Sequence, residues 1–246
     1  MNMKRIFFLL SFVILSSCVS RQVVTITKLK GSPIYDTSEL KLVGIDSLIS
    51  NNAYNFSFQA ENFALGEQTQ GAIQNGLANS SRGQHIHFII NNDPYSAHYD
   101  SNFSKELEAD NNVILAFLSR SYHESVKNEK AYVLTQISND KSQEIDLTKQ
   151  FLFYSRPKGV YKGDDTKKLL LDFYLVNTNL SSKGNKVRLT ITQRTFTHQF
   201  LLDSWEPYYI EGLDKGTVNL KLELLNKNMD LIESDFNPSL REIILE

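Results

Sequence analysis

The sequence predicts an all-β chain built from two copies of one sandwich domain, and three observations predict it. Beyond the first twenty residues, no long apolar pattern recurs every 3.6 positions. Short segments instead alternate apolar and polar residues, separated by Gly, Asn, Asp, Ser and Pro, which is the pattern of half-buried strands. One half of the chain also repeats the other.

The strands are clearest at Tyr54–Ala60, His85–Asn91, Val113–Leu118, Ala131–Ile137, Leu169–Val176, Lys186–Thr192, Thr217–Leu224 and Arg241–Leu245. Glu106–Asp110 and Ser234–Ser239 read as turns. The repeat aligns Asn55–Leu65 with Leu170–Leu180. An Asn follows the alternating run in both (Asn62, Asn177), and a Leu comes three residues later (Leu65, Leu180). Gly83–Ile90 then aligns with Gly184–Ile191. Lys105–Leu107 before Val113–Phe117 aligns with Ile210–Leu213 before Val218–Leu222. This spacing suits about seven strands per copy, hence two tandem immunoglobulin-like β-sandwich domains at 33–148 and 149–246. The first copy carries a longer loop, Gly66–Arg82, rich in Gln, Asn, Ser and Gly. In the second, Gly212–Gly216 leads into a strand whose Val218, Leu220 and Leu222 face the core, as in the last hairpin of bacterial immunoglobulin-like modules. The short junction near Lys149–Phe151 predicts limited flexibility between the copies.

The N-terminus reads as a leader. Lys4 and Arg5 supply positive charge, and Ile6–Leu15 is an apolar run. That run is too short to span a bilayer, which needs about 20 residues, but it suits a signal-peptide core. Leu15-Ser16-Ser17-Cys18 follows, and Cys18 is the only cysteine of the chain. It resembles the lipobox of bacterial lipoproteins. The resemblance implies removal of residues 1–17, lipidation of Cys18 and a lipidated tether over 18–32. Two or three acyl chains anchor stably, each buried CH₂ contributing about 0.8 kcal/mol. Val19 after the cysteine is not the aspartate of an inner-membrane retention signal, so the expected place is the outer membrane, on either face.

Composition narrows the function. A hydrophobic fraction of 41% with 22% charge is enough for a buried core. Net charge is −2, and loss of Lys4 and Arg5 leaves −4, which is no footprint for nucleic acid. With one cysteine there is no intramolecular disulfide and no cysteine-based zinc site. No nucleophile elbow, Gly-rich phosphate loop or HExxH motif occurs, so the chain is expected not to be an enzyme.

Candidate binding residues concentrate in the first copy. His85 and His87 are two apart on a strand and share a face, opposite Ile86, Phe88 and Ile90. In the second copy Lys186 and Arg188 take their places, so the histidines belong to the outer face. A same-face His pair is half of a zinc or copper site. His98 or His123 could complete it, with Glu124 or Asp93 as oxygen donors. The alternative is a polar face that binds no metal. Ile114, Ala116 and Leu118 are apolar where Asn219, Lys221 and Glu223 are polar. The outer face of the first copy is therefore expected to be covered by the Gly66–Arg82 loop, by residues 119–125 or by the other domain. Arg120, Tyr122, His123 and Glu124 crowd one segment with three serines. They suit either recognition of an anion or sugar, Arg120 supplying a fork of donors, or an internal network tying the strand end to Asp93-Pro94-Tyr95. Trp205-Glu206-Pro207-Tyr208-Tyr209 reads as a core plug ahead of a sugar platform.

The segments Gly83–His87, Asn91–Tyr99 and Phe117–Ser125 resemble a family of uncharacterised lipoproteins from Flavobacteria and relatives, some described as phosphopeptide-binding proteins. No verified binding residue comes with that resemblance. The HxH strand resembles, more weakly, small periplasmic immunoglobulin-like domains with a His-rich strand. The leading expectation is a non-enzymatic envelope lipoprotein acting as a binding or scaffold module, with an envelope protein as partner. Its site would lie around His85, His87, Tyr95, His98, Arg120, Tyr122 and His123. The second expectation is a copper or zinc protein using His85, His87, His98 and His123. The third is a glycan binder using Tyr95, Tyr122 and Trp205.

Overall fold

The computed structural model describes residues 22–48, 52–107 and 110–246. The leader and Cys18 lie outside the described residues. Sixteen strands run through the rest: β1 Thr25–Lys28, β2 Glu39–Ser47, β3 Ala53–Glu61, β4 His85–Ile90, β5 Ser96–His98, β6 Asn102–Glu106, β7 Asn111–Ser119, β8 Tyr132–Ser138, β9 Phe151–Arg156, β10 Gly159–Tyr161, β11 Lys168–Val176, β12 Lys186–Gln193, β13 Phe196–Leu202, β14 Tyr208–Glu211, β15 Gly216–Leu225 and β16 Ser239–Leu245. Short 3₁₀ turns are the only helical elements among the described residues.

The strands form two immunoglobulin-like sandwiches of the same order. The first stacks β2-β3-β6 on β5-β4-β7-β8. The second stacks β9-β11-β14 on β13-β12-β15-β16 and adds β1 beside β14 and β10, in parallel, beside β16. Numbered within its own module, each is 1-2-5 over 4-3-6-7, so the repeat seen in the sequence is a repeat of topology. The aligned asparagines show it locally. Asn62 after β3 and Asn177 after β11 turn the chain at φ 53° and 56°, a left-handed conformation that Asn tolerates better than most residues.

Each sandwich has its own core. Leu40, Phe56 and Phe58 meet Ile86, Phe88, Ile114, Ala116 and Leu118 in the first. Leu169, Leu171, Phe173 and Ile210 meet Val187, Leu189, Val218, Leu220 and Leu222 in the second. A third core joins them. Ile89, Val113, Leu115 and Phe117 on the β5-β4-β7-β8 sheet pack against Phe151, Phe153, Tyr174 and Val176 on the β1-β14-β11-β9 sheet. The protein is thus four sheets deep, and the central strands of the two inner sheets are buried on both faces. Each of those side chains gains about 1.5–3 kcal/mol by leaving water, so the two modules share buried apolar area beside the Lys149–Phe151 junction.

Two expectations change. Val113, Leu115 and Phe117 face the other module, whereas Ile114, Ala116 and Leu118 face the first core, the reverse of the phase read from the sequence. In β7 both phases are apolar, so alternation carries no sign of which side is which. Second, residues 18–32 are not all tether. Thr25–Lys28 forms an edge strand of the second sandwich, Thr25 opposite Glu211 and Lys28 opposite Tyr208. The second module therefore closes around a strand that precedes the first module. Gly212 makes room for this. Its φ is 87°, and a Cβ there would stand 2.0 Å from the Val23 carbonyl oxygen.

Candidate functional site: a buried imidazole cluster

Strand β4 sends His85 and His87 to one side and Ile86 and Phe88 to the other, as the alternation requires. On the second module the equivalent Arg188 reaches the surface and grips Glu223 through two bonds of 2.8 and 2.9 Å. On the first, the outer face is covered, and both histidines are fully buried. All three expected covers contribute. The second module places Ser155 3.3 Å from His87 Nδ1. The 119–125 segment brings in His123, and Ser80 of the long loop holds the hydroxyl of Tyr99, whose ring lies against His85.

Three ring nitrogens converge here. His87 Nε2 lies 2.9 Å from His85 Nε2, and His123 Nδ1 lies 3.2 Å from the same atom. His85 Nδ1 is 2.8 Å from the Gly83 carbonyl. A carbonyl can only accept, so Nδ1 carries the His85 proton and Nε2 is left as a bare lone pair. Gly83 sits at φ 87°, where a Cβ would come within 2.5 Å of the Gly66 and Glu67 carbonyls. His123 itself has φ 71°, a strained conformation for this residue, held because its amide donates to Arg120 O at 2.8 Å. Tyr95 stacks on His87 with ring centroids 3.5 Å apart and reaches His123 Nδ1 with its hydroxyl at 3.2 Å.

Burial keeps these imidazoles neutral. It pushes His85 down to about 4, an effect that Arg156, Arg82 and Lys158 reinforce and the Gly83 hydrogen bond opposes. Burial, with neighbouring histidines and the same Arg156 and Lys158, holds His87 and His123 well below the usual range. Lys158, above the Tyr95 ring at 4.0 Å, is itself lowered to about 8, by burial and then by Arg156 and Arg241. The sequence reading did not name Tyr99, Ser155, Arg156 or Lys158 as site residues. The run Ser155-Arg156-Pro157-Lys158 is basic after an apolar strand, and that is the one signal that could have marked the last two.

The other candidates go elsewhere. His98 is not a member of the cluster. It faces the first core, stacked on Phe103 at 3.5 Å and bonded to Ser96 Oγ at 2.8 Å, because its partner across the ladder is Ile86. Arg120 and Glu124 form a buried ion pair at 3.0 Å. Arg120 also donates to the Ser125 and Pro33 carbonyls at 3.0 and 2.6 Å, and Glu124 accepts from Ser32 at 2.5 Å. The fork expected to hold an anion or sugar is therefore occupied from within, and the Glu124 carboxylate is engaged there, apart from the group of His85, His87 and His123. Tyr122 is buried with Leu29, Ala72, Leu77 and Leu170. Trp205 donates to the Phe173 carbonyl at 2.8 Å and packs edge-on against Tyr174. Of the three residues named for a glycan surface, Tyr95 and Tyr122 are buried and Trp205 is half-buried as a core plug, so they form no open platform.

No family model matches the chain, and no curated protein does. Among solved structures, the fibronectin(III)-like modules of Clostridium thermocellum CbhA align at 12% identity over 91% of this chain and 94% of that one, with a TM-score of 0.29. The two tandem V-type regions of a v-region-containing chitin binding protein align at 7% identity over 85% and 99%, with a TM-score of 0.26. The central fibronectin-III array of RIM-binding protein aligns at 7% over 82% and 67%, with a TM-score of 0.25. At such scores these likenesses carry no argument about function, and the fold rests on the sheet order described above.

Proposed function

We propose that this chain is a non-enzymatic lipoprotein of the cell envelope, anchored through lipid on Cys18 and acting as a stiff two-module binding or scaffold unit. The observation that carries this reading is the third core, which fuses the two sandwiches face to face through Ile89, Leu115 and Phe117 on one side and Phe151, Phe153 and Tyr174 on the other. A scaffold needs a fixed distance and angle between its surfaces, and a shared apolar core supplies them. The polar groups that suggested chemistry in the 119–125 segment support the same reading, since they bond one another and the residues around them. A cleft of about 690 Å³ opens along the edges of β5 and β6 and is lined in part by Phe88, Ile90, Asp93, Ser96, Lys105 and Glu106.

Anchor and partner are tested together. Cells making the wild type incorporate labelled palmitate into the chain, and Cys18→Ser abolishes incorporation and releases the protein from the membrane fraction. A photo-crosslinking residue at Asp93 or Lys105 captures an envelope protein in the wild type. Membrane retention of Cys18→Ser without lipid would sink the anchor, and absence of any crosslinked partner would sink the binding role.

A further inference from the structure

The imidazole cluster has one lone pair too many. His85 Nε2 cannot donate, because the His85 proton is held on Nδ1 by the Gly83 carbonyl. Its single lone pair accepts one hydrogen bond, yet both His87 Nε2 at 2.9 Å and His123 Nδ1 at 3.2 Å point at it. If His87 donates, His123 Nδ1 either competes for the same pair or accepts from Tyr95 and faces His85 lone pair to lone pair. If His123 donates, His87 meets the same conflict. No choice of tautomers satisfies all three contacts. A cation between the nitrogens does.

We propose that His85 Nε2, His87 Nε2 and His123 Nδ1 form a buried site for one copper(I) ion. One ring nitrogen from each of the three histidines can be chosen so that all lie within 4.8 Å of one another. Three nitrogens bound trigonally at about 2.0–2.1 Å stand roughly 3.5 Å apart, so closing on an ion asks the 2.9 and 3.2 Å contacts to open by about 0.3–0.6 Å. Imidazole suits copper and zinc alike, and charge chooses between them. The group contains no carboxylate, since Glu124 is engaged by Arg120 and Ser32. Arg156 and Lys158 add positive potential. The penalty for burying an ion rises with the square of its charge, so a monovalent ion is favoured over a divalent one. Three ligands suffice for copper(I), whereas structural zinc takes four. The rings of Tyr95, Tyr99 and Phe117 against His85 and His87 exclude water, which suits a closed site of low coordination. His123, half-buried on a loop, is the ligand nearest the surface.

The site is independent of the anchor and of any protein partner, and it can fail without them. The test uses the full chain purified in detergent under anaerobic conditions, with copper(I) titrated against a chromophoric copper(I) chelator and zinc(II) titrated in parallel. The wild type should take one copper(I) per chain in preference to zinc, and X-ray absorption should show a nitrogen-only shell. His123→Asn removes one ligand, and Asn tolerates the positive φ at this position. Its affinity should fall by at least the roughly 100-fold seen when lesser supports of a metal site are lost. His98→Phe, which changes an imidazole outside the trio, should bind like the wild type. No copper(I) on the wild type, unchanged affinity in His123→Asn, or tighter zinc than copper(I) would each overturn the proposal.

Discussion

Asp172, fully buried on β11 of the second sandwich, accepts the hydroxyl of Ser125 from the first at 3.0 Å. The Ser125 amide donates to its other oxygen at 3.2 Å, and Lys127 completes the charge pair. A carboxylate inside the protein is thus matched wholly by groups of the other module. Asp172→Ala should leave Lys127 without its partner and cost about 3–5 kcal/mol of stability, read from the urea midpoint. A loss below about 1 kcal/mol would mean that this contact is dispensable.

The apolar seam predicts that the modules do not melt separately. Phe117, fully buried between them, stacks on Tyr174 at 4.6 Å. Phe117→Ala should cost about 3–5 kcal/mol and lower a single calorimetric transition whose van't Hoff and calorimetric enthalpies agree. Two resolved transitions in the wild type would contradict the fused core.

Acid should weaken the fold from about pH 6.5 downward. His85 has its folded pKa lowered to about 4 from the ordinary 6.5. Between those values the unfolded chain binds more protons than the folded one, so stability is full above about pH 6.5 and falls as pH drops toward 4. At 1.36 kcal/mol per unit, the His85 share approaches about 3 kcal/mol. Denaturant midpoints at pH 7.5 and 4.5 should differ accordingly, and the difference should shrink in His85→Gln. A flat profile over that window would show that the imidazole is not buried neutral.

Gly212→Ala should release the N-terminal strand. A side chain at φ 87° would collide with the Val23 carbonyl, and such strain costs about 1–3 kcal/mol. Amide exchange of Thr25–Lys28 should accelerate while exchange in β4 and β7 stays slow. Unchanged protection of Thr25–Lys28 would mean that the crowding is absorbed elsewhere.

Much of this architecture was legible in the sequence. The eight strands expected all form, and Asn62 and Asn177 mark the repeat because each turn needs the same left-handed residue. What failed has a common cause. Alternation reports a strand with one wet face, and the inner sheets have none. Phe151–Arg156 is buried throughout, so it reads as a junction and not as a strand. β7 is apolar in both phases, so its faces were exchanged. β1 has four residues and pairs with a partner about 180 positions away, a relationship that no local pattern carries. In the site, the shared face of His85 and His87 and the covering of that face followed from strand period and comparison of the copies. Choosing between His123 and His98 did not. That choice depends on a loop folding back and on which side of β4 the short β5 presents.

The edge strand β1 also settles how force would travel through an anchored molecule. If lipid sits on Cys18, seven residue steps of chain lead to Thr25, a reach of at most about 25 Å, and Thr25–Lys28 then hydrogen-bonds along β14 of the second sandwich. A pull from such an anchor would load that ladder and enter the carboxy-terminal half of the chain first. The first sandwich, strung between Leu29 and Phe151 with both its ends leading back to the second, is bypassed like a loop closed by a clasp. It keeps its shape until the clasp gives way.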